Sequence, residues 1–227
     1  MLAIVPTPLG NLEDMPPRCL RALREAAAVC CEDTRRTRAL LSHFGIHTPV
    51  LRYNEHDERD RRTLLARLEA GESLALVSDS GLPCISDPGR GLVALARSRG
   101  VPVTVLPGPS AAVAAVAGSG LPGDSFVFLG FLPRSDGKQR KVLTEAAALG
   151  RTLVLYESPY RVLDLLAQAA LALGDQAQAC VVRELSKLHE EWLHGSVASV
   201  RAELARRPEI LGEFVVVLHP QEVGEHA

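Results

Sequence analysis

Short apolar runs alternate along this chain with longer segments of helical periodicity, and this alternation restricts the possible folds more than any other feature. Apolar runs of strand length occupy residues 2–5, 27–31, 49–53, 73–78, 101–106, 126–131, 152–156, 179–183, 191–194 and 213–218. Strands that alternate with helices are typical of βαβ units and predict the α/β class. Because the runs are apolar throughout, we expect sheets that are buried on both faces.

The organisation predicted from this pattern is two α/β domains. The segment 118–124 is rich in Gly and Pro and is the best candidate for a linker. We therefore expect an N-terminal domain at residues 1–120 and a C-terminal domain at 121–227, and a chain of 227 residues suits two domains of about 110 residues each. The apolar runs are too short to span a bilayer. The first run begins directly after Met1, so no signal peptide is expected.

Charge and cysteine content exclude some classes of protein. The net charge is −2, so any surface that binds nucleic acid must be local. The chain has 5 cysteines, an odd number that lies mostly in apolar runs. A disulfide framework is therefore not expected, and a reducing cytoplasm is the simplest location.

Polar, Gly and Pro residues gather where the predicted strands end. In open α/β sheets the ligand lies beyond the carboxyl ends of the strands. The loop 78–89 is the most informative, since Gly81 and Gly89 allow close approach of backbone to a ligand and Asp79 and Asp87 offer carboxylates. For any single loop, ordinary turn chemistry is the better explanation, but six such loops, several with charged groups, are harder to explain in that way.

Several motifs of other enzyme classes are absent. The chain has no G-x-G-x-x-G and no G-x-x-x-x-G-K-[ST], so dinucleotide and P-loop sites lack their fingerprints. His189 and His194 nearly match H-E-x-x-H, but the second His comes one residue late to share a helix face with the first. There is no C-x-x-C, and a metal site is not expected.

Two local basic clusters follow predicted strand ends. The first contains Arg35, Arg36 and Arg38, and the second contains Arg134, Lys138, Arg140 and Lys141. A solvated helix face is one explanation of such runs. The alternative, favoured by their position at strand ends, is a surface for a polyanion such as RNA.

A set of short segments along almost the whole chain resembles one family. The segments are T-P-L-G-N-L-E-D at 7–14, E-D-T-R at 32–35, L-S-H-F-G-I at 41–46, S-D-S-G at 78–81, I-S-D-P-G at 85–89, P-G-P-S-A at 107–111, G-F-L-P at 130–133, Y-E-S-P at 156–159 with Arg161, R-E-L at 183–185 and G-E-F at 212–214. In combination they resemble the small-subunit rRNA ribose 2′-O-methyltransferases of the tetrapyrrole methylase superfamily. The family pattern commonly has Ala, Thr and His where this chain has Ser80, Leu82 and Tyr160.

The resemblance implies a fold, a reaction and a set of contacts. It implies two α/β domains with S-adenosylmethionine in a cleft between them, a cytoplasmic homodimer, and methylation of the ribose 2′-hydroxyl of a cytidine in the decoding region of 16S rRNA. Carried over by position, the cofactor contacts are Leu9, Asp79, Ser80, Gly81, Pro83, Ser110, Ala111 and Tyr156. Members commonly extend beyond the point where this chain ends, so some RNA contacts of the family are expected to be missing here.

Transfer of a methyl group to a ribose hydroxyl calls for alignment of the two reactants and for a group that removes or polarises the hydroxyl proton. Asp33 and Glu157 are our first candidates, because each is near in sequence to an arginine that could hold phosphate. A structural ion pair is the alternative for both. Asp87, Glu184 and Lys187 are further candidates. The residues expected to contact RNA are Arg35, Arg36, Arg134, Lys138, Arg140, Lys141 and Arg161.

Two other functions compete with this hypothesis. One is a tetrapyrrole C-methyltransferase on the same fold, which the E-D-T-R segment and the absence of a G-x-G-P-G-D opening disfavour. The other is an RNA-binding protein without catalysis, which the net charge of −2 disfavours.

Overall fold

The computed structural model describes residues 1–220, which form two compact units. The first unit is Met1–Ser110, and the second begins at Ala111. Within the described residues each unit contains one five-stranded sheet. The two α/β domains predicted from the sequence are therefore present.

The N-terminal unit is built on a parallel sheet. Its elements are β1 (Leu2–Ile4), α1 (Pro17–Glu25), β2 (Ala28–Cys31), α2 (Thr34–His43), β3 (Val50–Arg52), α3 (Glu58–Glu69), β4 (Leu74–Leu76), α4 (Arg90–Ser98) and β5 (Val103–Val105), with a short 3-10 helix at Leu12–Asp14. The strand order is β3-β2-β4-β1-β5, and all the pairings are parallel. The carboxyl ends of β1 and β4 are therefore neighbours at one edge of the sheet.

Helices cover both faces of this sheet, as its continuously apolar strands predict. Leu2, Ile4 and Leu76 pack on one face with side chains of α3 and α4. Ala3, Val5 and Val77 pack on the other face with side chains of α1 and α2. The prediction of a doubly covered sheet is confirmed here.

The C-terminal unit contains a mixed sheet. Its elements are α5 (Ala111–Ser119), β6 (Phe126–Phe131), α6 (Asp136–Ala147), β7 (Thr152–Glu157), α7 (Val162–Leu173), β8 (Gln178–Arg183), β9 (Glu191–Ser196), α8 (Val197–Ala205) and β10 (Phe214–His219). The strand order is β6-β7-β10-β8-β9. Helices α6, α7 and α8 cover one face, and α5 packs on the other.

The second sheet corrects the expectation of βαβ units throughout the chain. Only the pairing of β6 with β7 is parallel, whereas β10 is antiparallel to both β7 and β8, and β8 is antiparallel to β9. The short connection between β8 and β9 forms a hairpin, because Glu184 and Ser186 adopt left-handed backbone with φ of 52° and 63°. Neither residue is a glycine, so the sequence contains no typical turn residue that would predict this hairpin.

The division between the units also lies earlier than the sequence suggests. It falls between Ser110 and Ala111, not near residue 120. The reason is packing: Ala112, Ala115 and Val116 of α5 belong to the apolar cluster of the second sheet. The Gly- and Pro-rich segment 118–124 is thus a connection inside the C-terminal unit.

Candidate functional site

The loops that follow β1 and β4 are joined by backbone hydrogen bonds at the carboxyl edge of the first sheet. The Thr7 amide donates to the Gly81 carbonyl at 2.9 Å, and the Gly81 amide donates to the Thr7 carbonyl at 3.0 Å. The Thr7 hydroxyl donates to the Ser78 carbonyl at 3.1 Å, and the Ser80 hydroxyl donates to the Leu9 carbonyl at 3.4 Å. Leu9, Ser80 and Gly81, expected as cofactor contacts, are therefore brought together.

Gly81 packs closely against its neighbours, and a side chain at this position would crowd Leu9. Its φ is +78°, and a Cβ built on it would lie 3.1 Å from Leu9 Cδ2 and 3.7 Å from the Pro109 carbonyl oxygen. The loop after β5 approaches β1 in the same way, since a Cβ on Gly108 would lie 2.5 Å from Pro6 Cγ. The two glycines thus allow three strand-end loops to pack closely against one another.

The loop 78–89 carries more left-handed backbone than its glycines predict. Besides Gly81 and Gly89, Cys84 and Ser86 have positive φ, at 71° and 58°. Such backbone is costly in residues other than glycine and is found mostly where the surroundings fix it. The loop is therefore held in one conformation by its contacts.

Glu55 supplies those contacts at the end of the loop, and sequence reasoning missed it. Its carboxylate accepts from the Gly89 amide at 2.7 Å, from the Gly91 amide at 2.8 Å and from the Tyr53 hydroxyl at 2.7 Å. It thereby caps the start of α4 from a distant part of the chain. Burial by itself would raise the pKa of Glu55, but these three hydrogen bonds outweigh it and lower the pKa. Separations of 34 and 36 residues leave no local signal for such a contact.

A small pocket opens at the same edge of the sheet. Its volume is about 130 Å³, and its wall is formed by the loop after β1, the first turns of α2 and the end of β4, including Thr7, Arg36, Ser78 and Asp79. Arg36 Nη1 lies 3.8 Å from Asp79 Oδ2. The predicted RNA contact Arg36 and the predicted cofactor contact Asp79 therefore share one wall.

Negative charge is concentrated beside this pocket. The pKa of Asp87 is raised to about 6 by burial and, to a lesser extent, by the carboxylates of Asp79 and Glu32. A carboxyl group with such a pKa changes its protonation close to neutral pH, which suits proton transfer. Asp79 and Glu32 would both attract a positively charged ligand, and Asp79 already lies 3.8 Å from Arg36.

Asp33 is placed as the N-cap of α2. Its Oδ1 accepts from the Arg35 amide at 2.8 Å and from the Arg36 amide at 3.3 Å, and Oδ2 lies 3.7 Å from the Arg35 guanidinium. The two amide hydrogen bonds, helped by the nearby arginines, lower the pKa of Asp33. A carboxylate with a lowered pKa is a weak base. The ion pair with Arg35, which was the structural alternative for Asp33, is therefore present. The catalytic role of Asp33 stays a prediction.

In the C-terminal unit, Tyr156 lies at the end of β7 among aromatic rings. Its hydroxyl accepts from the Ala112 amide at 3.1 Å, which links β7 to the first turn of α5. The rings of Phe128 and Phe131 meet it edge to face, with centroids 5.0 and 5.7 Å away. Phe131 is 58% exposed, so an apolar surface remains open beside Tyr156. The expected cofactor contacts Ala111 and Tyr156 are thus close to one another.

Glu157, the next residue, is buried and paired. Its Oε1 accepts from the Ser158 amide at 2.8 Å, and Oε2 lies 3.2 Å from Arg161 Nη2. The same arginine nitrogen donates to the carbonyls of Leu132 and Pro133 at 2.9 and 3.2 Å. Arg161 therefore joins the loops after β6 and β7, so its proposed RNA contact and the catalytic role of Glu157 both stay predictions.

The second basic cluster is fully on the surface. Arg134 precedes α6, and Lys138, Arg140 and Lys141 lie on its first two turns, all exposed. Among residues 1–220, Lys141 alone of this cluster forms a salt bridge, with Nζ 3.8 Å from Glu145 Oε1. Arg35 is also exposed, with 89% of its side chain accessible.

Glu184 and Lys187 form a separate network at the β8–β9 hairpin. Lys187 Nζ donates to Glu184 Oε1 and to Glu213 Oε2, both at 2.9 Å. The Glu213 amide donates to Glu184 at 2.8 Å. These contacts hold the positive-φ turn, and a catalytic role of Glu184 or Lys187 stays a prediction.

Metal-binding clusters, disulfides and membrane-spanning helices are absent from the residues that the structure describes. Among residues 1–220 there is no cluster of three or more His, Cys, Asp or Glu side chains arranged to hold a metal ion. All five cysteines are free thiols. No helix in the described part of the chain is long and apolar enough to cross a membrane.

Comparison with known proteins identifies the class. The structure superposes on uroporphyrin-III C-methyltransferase from Thermus thermophilus, solved with S-adenyl homocysteine, with a TM-score of 0.65, 22% identity, and coverage of 95% of this chain and 96% of that one. The two α/β units of this chain therefore share the fold of that protein.

The family follows from the sequence comparisons. The family model of the tetrapyrrole (corrin/porphyrin) methylases matches residues 1–201. Ribosomal RNA small subunit methyltransferase I of Xylella fastidiosa is 46% identical over 96% of this chain and 80% of its own length. The protein of the same name from Thermotoga maritima is 42% identical over 97% of this chain and 99% of its own length. The chain belongs to the tetrapyrrole methylase family.

Proposed function

We propose that this chain transfers a methyl group from S-adenosylmethionine to the ribose 2′-hydroxyl of a cytidine in the decoding region of 16S rRNA. The observation that carries the proposal is the identity of 41–46% over most of the chain to relatives named for methylation of small-subunit rRNA. The methyl donor and the rRNA substrate follow from membership of this group. The position of the methyl group on the ribose of one cytidine is our proposal.

The residues at the first sheet's carboxyl edge fit the chemistry of the donor. S-adenosylmethionine supplies an electrophilic methyl group on a positively charged sulfonium when it is bound. The carboxylates of Asp79, Asp87 and Glu32 favour a cation, as the raised pKa of Asp87 indicates. Gly81 and Gly108 allow the loops after β1, β4 and β5 to pack closely at this edge, which brings Leu9 next to Gly81. The residues proposed to bind the donor are Leu9, Asp79, Ser80, Gly81, Pro83, Ser110, Ala111 and Tyr156.

Among the acidic groups, Asp87 is better suited than Asp33 to accept the ribose proton. The pKa of Asp87 is about 6, whereas hydrogen bonds from the Arg35 and Arg36 amides lower the pKa of Asp33. A base is most effective when its pKa lies near the working pH. We therefore propose Asp87 as the first group to test, with Asp33 and Glu157 as the alternatives carried from the sequence.

The substrate and assembly complete the proposal. Arg35, Arg36, Arg134, Lys138, Arg140, Lys141 and Arg161 are proposed to contact rRNA phosphates, and the active form is proposed to be a cytoplasmic homodimer. Sedimentation of the purified chain with and without small ribosomal subunits measures both the oligomeric state and the association.

The experiment that tests the reaction uses labelled S-adenosylmethionine. The chain is incubated with small ribosomal subunits that lack the modification, and the labelled nucleoside is digested and identified by mass spectrometry. We expect 2′-O-methylcytidine at one position of the decoding region. Label on a base, at another nucleotide, or only on a tetrapyrrole offered in parallel contradicts the proposal.

A further inference from the structure

A further basic surface of the N-terminal unit lies between two of its helices and begins next to the loop 78–89. Helices α3 and α4 enclose a groove of about 820 Å³. Four arginines and two glutamates line it: Arg61, Arg62, Arg90, Arg99, Glu55 and Glu58. None of these arginines belongs to the clusters that sequence reasoning assigned to RNA.

Both glutamates of the groove already have hydrogen-bond or salt-bridge partners within the protein. Both oxygens of the Glu55 carboxylate accept hydrogen bonds from the start of α4 and from Tyr53. Glu58 Oε1 lies 2.6 Å from Arg62 Nη2. In the part of the chain that the structure describes, Arg90 and Arg99 are exposed and form no salt bridge. The groove therefore has positive charge that the protein itself does not neutralise.

The shape of the groove suits an extended chain. Gly91, Ala94, Leu95 and Ser98 line it from one face of α4, and three of these four residues are small. Arg90 and Arg99 stand at the two ends of the helix, about 14 Å apart along its axis at 1.5 Å per residue. The surface of α4 between the guanidinium groups of Arg90 and Arg99 is long enough for several successive phosphates to bind.

The groove begins at the edge of the sheet where the proposed chemistry occurs. Helices α3 and α4 both follow strands of a parallel sheet, so their first turns lie at its carboxyl edge. Arg90 comes directly after the loop 78–89. An RNA strand that leaves the carboxyl edge can therefore continue along α4.

We propose that this groove, formed by α3 and α4, binds the phosphate backbone of the substrate RNA beyond the methylated nucleotide. The inference rests on the proposed function. Arginine is suited to the role because its planar guanidinium makes two parallel hydrogen bonds to a phosphate. The contact is independent of RNA sequence and lengthens the region of RNA that the enzyme binds.

The test compares two variants of equal charge. One replaces Arg62, Arg90 and Arg99 with alanine, and the control replaces Arg97, Arg201 and Arg206, which are exposed and do not line the groove. Binding of a labelled decoding-region RNA is measured by anisotropy as a function of salt. The groove variant should bind at least about ten-fold more weakly than the control at 0.15 M salt, and its salt slope should be smaller by about 2, because each lost single-strand phosphate contact removes about 0.7.

Other measurements separate the possible failures. Calorimetry should give wild-type affinity of the groove variant for S-adenosylmethionine, since none of the three arginines is proposed to contact the donor. If the triple variant melts early, Arg90→Ala and Arg99→Ala are tested singly, and each should lower the slope by about 0.7. If the groove variant and the control variant have equal salt slopes, the proposal that the groove binds RNA is wrong, while the proposed function still stands. Failure of the wild-type chain to methylate small-subunit RNA overturns the proposed function instead.

Discussion

The two aspartates beside the first sheet differ in what their surroundings do to a proton. Asp33 accepts two backbone amides at the start of α2, which stabilise its ionised form. Asp87 is partly buried near two other carboxylates, which destabilise its ionised form. Both follow a strand of the same sheet, and sequence alone placed Asp33 before Asp87 because of its neighbouring arginine. Their different environments shift the pKa of the two carboxyl groups in opposite directions.

Replacement of Asp33 by Asn distinguishes a catalytic group from a cap. If Asp33 removes or orients the ribose proton, Asp33→Asn lowers the single-turnover rate at saturating substrates by about 10²–10⁴-fold. If it only caps α2, Asn still accepts hydrogen bonds from the Arg35 and Arg36 amides, because Asn is also a good N-cap residue. The structure favours a near-normal rate with a modestly lower melting temperature. A large loss of rate with an unchanged melting curve would restore Asp33 as the base.

Replacement of Asp87 by Asn should affect the rate and its dependence on pH. With a pKa of about 6, the wild-type base is protonated in acid, so the rate rises with pH and levels off above 6. Asp87→Asn should lower the rate about 10²–10⁴-fold and remove this inflection. Single-turnover rates between pH 5 and 8 measure both, with Asp33→Asn as the matched control. An inflection retained in Asp87→Asn assigns it to another group.

The same pKa has a consequence for stability that can be measured without substrate. The folded chain holds the Asp87 proton more tightly than the unfolded chain, whose value is near 3.8. Its contribution to stability is therefore full below pH 3.8 and is lost as the pH rises through about 6. Denaturant unfolding of wild type and Asp87→Asn over this range should differ in slope with pH.

At the scale of elements, the loop 78–89 depends on the short connection after β3. Glu55 in that connection accepts hydrogen bonds from the amides of Gly89 and Gly91, and so fixes where the loop ends and α4 begins. Gly89 itself, with φ of +128°, has no side chain that could cap the helix. A remote carboxylate therefore replaces the local N-cap.

Glu55→Gln should weaken both the fold and the binding of the methyl donor. Gln has one acceptor oxygen, and its NH₂ group cannot accept a hydrogen bond. At least one of the three donors to Glu55 therefore loses its partner, at a cost of about 1–3 kcal/mol in unfolding free energy. The freed loop should bind S-adenosylmethionine more weakly by calorimetry. Since the pKa of Glu55 is lowered, the stability it provides is present above its ordinary value of 4.5 and is lost as the pH falls below it.

Glu58→Gln is the matched control, because Glu58 lines the same groove but pairs only with Arg62 on the surface. An exposed pair of this kind contributes at most about 0.5 kcal/mol. Equal effects of the two substitutions would show that Glu55 does not fix the loop.

The elements that could be predicted from the sequence are those with a local signal. Apolar runs and helix periodicity located the strands and helices, and Gly81 and Gly89 marked the loop 78–89. The antiparallel order of β7, β10 and β8 could not be predicted, because an apolar run is the same in either direction. Glu55 was missed because its partners lie far away in sequence, and Cys84 and Ser86 because their backbone is set by packing.

At the scale of the whole molecule, binding of RNA must be reconciled with a net charge of −2. Long-range attraction by the total charge is negligible, so phosphate contacts must come from local clusters whose carboxylates are few or already paired. The cluster of Arg134, Lys138, Arg140 and Lys141 meets this condition, since in the described part of the chain only Lys141 forms a salt bridge. The cluster is exposed on the C-terminal unit, so its removal leaves the core unchanged.

Replacement of these four residues by alanine should therefore weaken RNA binding without affecting the methyl donor. If all four contact single-stranded RNA, the salt slope falls by about 3, because each contact contributes about 0.7. The control replaces Arg97, Arg151, Arg201 and Arg206, four exposed arginines outside the cluster, and so makes the same change in net charge. Anisotropy with decoding-region RNA measures the slope, and calorimetry with S-adenosylmethionine should give the wild-type affinity for both variants. A slope that changes equally in the two variants would mean that the cluster is a solvated helix face, because its effect would then be one of total charge and not of position.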